Sequence, residues 1–137
     1  MAQFYLLSVV ANLVASLTLG GEYFGEKMPF LKCFMELIST RGARITVGIS
    51  TLVVGVIKLF VLSPGEHVLI LGDFLPAVTG VAIGALLLAQ SHPDRVERAG
   101  EQIRKISATA LTYKVPVAIA GIVVAFLHFL FPGLVIL

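Results

Sequence analysis

Four stretches of this chain, at about 4–20, 45–62, 68–89 and 115–137, run nearly free of charge. Each is long enough to cross a bilayer, which takes roughly 20 apolar residues per helix. This pattern constrains the fold more than any other feature. In hydrocarbon the backbone must satisfy its own hydrogen bonds, which leaves helices or closed barrels. Barrel strands would be about 10 residues long with alternating polarity, and these segments do not alternate. The expected fold is therefore an all-α membrane protein with four transmembrane helices in one integral domain, 1–137. Linkers at 21–44 and 90–114 join the spans. Composition agrees, with 58% hydrophobic and 13% charged residues and a mean hydropathy of +1.00. A water-soluble domain carries about a quarter charged residues, and 137 residues cannot hide this much apolar surface in one core. The first segment has no basic residue ahead of it and a longer apolar region than a signal peptide, so it is expected to be a retained span.

Basic residues give the orientation. Lys27, Lys32, Arg41 and Arg44 fall in the first long linker; Arg95, Arg98, Arg104, Lys105 and Lys114 fall in the second. Basic residues stay on the cytoplasmic side, so both linkers are expected inside and both termini outside, in a bacterial cytoplasmic membrane. The same residues make membrane lipids the expected partners, with Arg95, Arg98, Arg104 and Lys105 at anionic headgroups. No nucleic-acid motif accompanies them. The lone Cys33 excludes a disulfide framework.

The chain also reads as duplicated. Each half runs apolar span, basic amphipathic linker, apolar span, then Pro–Gly, and "VVGVIKLFVLSPG" at 53–65 aligns with "GIVVAFLHFLFPG" at 121–133. Two spans per half leave both halves in one orientation, the pattern of a parallel repeat of two hairpin-like units. Within the linkers, 28–41 and 91–111 segregate apolar from charged residues at helical spacing, so both are expected to be amphipathic helices on the inner surface. Ser91 and Asp94 stand at capping-box spacing for the second. Gly42 and Pro116 are the expected bends where each linker enters the following span.

Helix faces carry the remaining information. Ser8, Asn12 and Ser16 form a polar stripe on the first span, suited to a pathway or to packing. Gly48 and Gly55, Gly80 and Gly84, and Gly121 and Ala125 line small-residue faces that let helices, including those of neighbouring copies, approach closely. Lys58 and Asp73 lie equidistant from the turn joining the middle spans, roughly 6–9 Å inside the outer hydrocarbon boundary at 1.5 Å rise per residue. His128 falls in the same outer layer. Intramembrane ionisable groups usually face protein or water, so these three are candidates for a site, and Lys58 with Asp73 for an ion pair.

Other chemistry finds no foothold. His67, His92 and His128 are dispersed and do not gather with Cys33 or carboxylates, so neither metal nor cofactor is expected. Phosphate-binding glycine loops, nucleophile elbows and zinc-protease motifs are absent from the sequence, so no enzyme is expected. Two functions stay open, and the polar stripe and the ionisable layer lean to the first. One is a small oligomeric transporter or channel for a solute or ion. The other is a non-catalytic subunit or scaffold of a larger membrane complex. A lipid-modifying enzyme is a more remote third.

Overall fold

The structure, a computed structural model, describes residues 2–60 and 69–131, with side chains described for 5–60 and 74–131. The described residues are 92% helical and contain no strand. The helices are α1 (Ala2–Leu19), α2 (Gly21–Lys27), α3 (Lys32–Ile38), α4 (Arg41–Phe60), α5 (Leu69–Ser91), α6 (Pro93–Arg98), α7 (Glu101–Thr112) and α8 (Lys114–Leu130), with a 3₁₀ turn at Pro29–Leu31. Two of them, α4 and the Phe74–Ser91 part of α5, are long and apolar enough to cross a membrane. The number rises to four if α1 with α2, bent by 78°, and α7 with α8, bent by 67°, each form one span.

The element order repeats: long helix, two short helices, long helix, twice over. Packing repeats with it. The most extensive contact is α4 on α5, matched by α1 on α8; α1 on α4 is matched by α5 on α8; and α1 meets α5 in the middle. Glycine contacts give the directions. Gly48 lies against Gly84 and Leu87, while Gly55 lies against Ala77 and Val81, so α4 and α5 run antiparallel. Gly20 meets Ala118 and Gly121 meets Ser16, so α1 and α8 do too.

Small residues explain the close approach. A Cβ at Gly84 would stand 2.8 Å from the Gly48 carbonyl oxygen and 2.9 Å from the Leu52 backbone nitrogen. Helices at this separation gain packing that lipid tails cannot supply. Gly48, Gly55, Gly80, Gly84, Gly121 and Ala125 are all buried inside one chain. The sequence allows these faces to join neighbouring copies; the chain's own helices fill them instead. A core of Ala15, Leu19, Phe24, Met35, Ile38, Ile83, Leu87 and Ala118, drawn from α1, α2, α3, α5 and α8, closes the linker end, where α2 and α3 pack on α1 and on each other.

The linkers differ from expectation at their joints. The first bend falls at Gly20, ahead of the linker, where a Cβ would stand 2.6 Å from the Phe24 ring and 3.0 Å from Ala118. Gly42 is no bend: it lies in the first turn of α4, after a break at Ser39–Thr40. The second bend falls at Tyr113, and Pro116 is the third residue of α8. Proline is tolerated in a first turn because the N–H it lacks would have no helical partner there. Ser91 caps nothing. It ends α5 and its hydroxyl donates to the Leu87 carbonyl at 2.7 Å, while His92 takes the N-cap position of α6 without a side-chain bond. The stretch 91–111 is also not one helix, because Gly100 at φ +107° separates α6 from α7. Few residues other than glycine adopt that left-handed backbone.

Candidate functional site

Three polar layers lie along the bundle. The central one is built on α1, where Ser8, Asn12 and Ser16 are 2%, 2% and 0% exposed. Each is used for packing or is sealed by it. Ser16 donates to the Asn12 carbonyl one turn back, at 2.7 Å. The Asn12 amide donates from Nδ2 to the Pro76 carbonyl at 2.9 Å, which ties α1 to α5 at the proline inside that helix. Proline removes one helical hydrogen bond and loosens the turn around it. Thr51 of α4 donates to the Ala11 carbonyl at 3.4 Å and closes the layer from the other side. The stripe that could have lined a pathway is thus enclosed among the helices of a single chain.

The layer at the end away from the linkers holds Tyr5 and His128. Their rings lie 4.6 Å apart, and the Tyr5 hydroxyl donates to the His128 carbonyl, joining α1 to α8. His128 is 7% exposed. Lys58 is half-buried near the end of α4. The Asp73 side chain and the turn containing His67 lie outside the described residues, as do the two Pro–Gly stops. Backbone register still bears on the pair. Gly55 lies opposite Ala77, and three further residues along each helix set position 58 level with position 74.

The layer at the linker end collects most of the described charge. Glu22 of α2 accepts a hydrogen bond from Lys114 of α8 at 2.7 Å and stands 3.6 Å from Arg44 of α4, so one carboxylate joins three helices. Local spacing gives no sign of this link, because the partners are far apart in sequence. The hydrogen bond and charge of Lys114 lower the Glu22 pKa; burial opposes this and Arg44 adds to it. A lowered carboxylate pKa means that the stabilisation is present above the ordinary carboxylate value and is lost as pH falls through the lowered one. With Glu22 63% exposed, solvent keeps the contribution small. Beside this bridge, a cleft of about 270 Å³ is lined by Arg41, Arg44, Gln90, Ser91, Pro93 and Asp94. A second cleft, about 430 Å³ and largely apolar, separates α2 from α3.

The apolar face of α7 and part of that of α3 are turned outward, while Met35 and Ile38 of α3 join the core. Ile103 and Ile106 of α7 are 49% and 68% exposed, and Leu37 of α3 is 68% exposed. Arg95, Arg98 and Arg104 are exposed nearby in sequence, while Lys105 pairs with Glu101 at 2.8 Å on the same helix. No group of three His, Cys, Asp or Glu side chains comes together among the described residues. Sequence reasoning missed the cleft at the linker end, since Arg41 and Arg44 lie far along the chain from Gln90 and Asp94. The one signal was the placement of all four at the linker ends of the middle helices. No curated protein and no solved structure matches this chain. Residues 1–128 match a family model, that of a domain of unknown function, and the chain belongs to that family.

Proposed function

We propose that α1, α4, α5 and α8 each cross a cytoplasmic membrane, with both termini outside, and that α2, α3, α6 and α7 lie along the inner surface. The halves are a parallel repeat, a reading supported by the recurring element order and the matched pairs α4–α5 and α1–α8. At 1.5 Å per residue the 20 residues of α4 extend about 30 Å, the thickness of a hydrocarbon core. On this membrane frame the chain acts as a non-catalytic subunit or scaffold that presents its inner surface to other proteins of a membrane complex.

One observation carries this choice over transport. The polar residues of the central layer are enclosed within one chain, whereas the exposed Arg95, Arg98 and Arg104 lie on the linker helices, where Leu37, Ile103 and Ile106 are exposed as well. The apolar faces of α3 and α7 suit the boundary between headgroups and acyl chains, which leaves the arginines to meet lipid phosphates and an acidic partner. Lys58 and His128 would be the start of any transport site.

Gentle solubilisation from the native membrane separates the two functions. The expected result is a stoichiometric complex with other subunits. Replacing Arg95, Arg98 and Arg104 together by Gln should release the chain with its thermal stability unchanged. A defined homo-oligomer that carries solute flux in liposomes would contradict the scaffold role.

A further inference from the structure

We propose that the cleft between the start of α4 and the α5–α6 junction binds a phosphate ester whose alcohol carries hydrogen-bond donors, the chemistry of a phosphatidylglycerol headgroup. The inference rests on α4 and α5 crossing the membrane and not on the docking role, so it can fail or hold independently of that role.

Two buried atoms argue for a ligand. Arg44 Nε, a donor, and Gln90 Oε1, an acceptor, are buried without a hydrogen-bond partner, although both residues line the same cleft. Buried polar groups are nearly always satisfied, so an unpaired donor and acceptor in one cavity are unusual. They do not bond each other, and the nearest contact of Arg44 to Glu22 is made through Nη2 at 3.6 Å. One molecule offering an anionic oxygen and a hydroxyl would satisfy both.

Charge sorts the two ends of such a molecule. Arg41 and Arg44 supply cations in the first turn of α4, which contains no acidic residue. Cations are disfavoured at a helix N-terminus, and a bound anion would offset both the dipole and the arginines. Across the cleft, Gln90 Oε1 and the Asp94 carboxylate accept hydrogen bonds and suit hydroxyls rather than phosphate oxygens. A choline headgroup has no donor to give them. The volume, about 270 Å³, admits a headgroup and no large cofactor. With α4 and α5 as spans, the cleft lies at headgroup level.

Native mass spectrometry of the full chain in mild detergent tests this, with phosphatidylglycerol, phosphatidylcholine and soluble glycerol 3-phosphate as separate probes. Phosphatidylglycerol should bind more tightly than phosphatidylcholine. Arg41→Gln, at an exposed position, should weaken phosphatidylglycerol about tenfold, as loss of one charged hydrogen bond does. Gln90→Met should bring phosphatidylglycerol down towards the phosphatidylcholine value. Arg98→Gln, exposed on α6 outside the cleft, should leave the preference for phosphatidylglycerol over phosphatidylcholine unchanged. Glycerol 3-phosphate binding with the same dependence on Arg41 would make the ligand a soluble ester of this chemistry, and its failure to bind would make it the lipid. Equal affinity for the two lipids, or equal losses from Arg41→Gln and Arg98→Gln, would overturn the proposal. Should Gln90→Met fail to fold, Arg41→Gln and the comparison of lipids still decide.

Discussion

Replacing Gly84 with Leu should lower the thermal stability of the purified protein far more than the same change at Gly42. At Gly84 a Cβ would meet the Gly48 carbonyl oxygen at 2.8 Å and the Leu52 nitrogen at 2.9 Å, both backbone atoms that no rotamer can move aside. The helices must separate along their most extensive contact. Overpacking of this kind costs about 1–3 kcal/mol and occasionally more. Gly42 has nothing within 4 Å of the equivalent position, and it lies in the first turn of a helix. There Leu should leave stability unchanged or raise it slightly, because glycine is the poorer helix former by nearly 1 kcal/mol. Gly121→Leu should fall between the two, since the added atoms meet the side chains of Ser16 and Ile83 rather than backbone. Thermal unfolding in detergent gives the ranking. Equal shifts at Gly84 and Gly42 would mean that α4 and α5 do not pack at this register.

The second large effect belongs to the charges at the end away from the linkers. Lys58→Met and Asp73→Leu should each destabilise the protein, and the double variant should recover most of the loss. The register of Gly55 with Ala77, carried on by three residues, brings the two positions to one depth on neighbouring antiparallel helices. A charge left alone there costs on the order of 1–3 kcal/mol on insertion scales, and removing both charges removes that cost. A buried pair adds little over apolar residues, so the double variant should stand close to the parent. If the two single losses simply add in the double variant, the side chains do not interact. A double variant that folds normally but loses transport or ligand binding would move the account from scaffold to transporter.

The helical class and the packing residues were legible in the sequence because both follow from side-chain volume and hydropathy at fixed spacing. Asn12, Gly80 and Gly84 advertise close contact whichever helix answers it. The identity of the partner was not legible. Small-residue faces look alike whether they meet a helix of the same chain or of a neighbour, so only the structure assigns Gly121 to Ser16 within one chain. The joints misled for a different reason. Gly42 and Pro116 are flexible or restrictive residues in general terms, but both fall in first turns, where a helix tolerates them. The bends fall instead at Gly20 and Tyr113, and no local feature marks Tyr113 as a bend. The cleft at the linker end and the Glu22–Lys114 bridge depend on residues far apart in sequence, which become neighbours only once α1, α4, α5 and α8 have packed.

Everything in the proposed role depends on four crossings with the linker helices inside. Cysteine accessibility in intact cells tests this directly, in a Cys33→Ser background so that the exposed native thiol does not react. A membrane-impermeant maleimide should label Gln3→Cys and Glu66→Cys from outside, and should reach Arg98→Cys only after the membrane is opened. Labelling of position 98 in intact cells, with position 66 protected, would contradict the account.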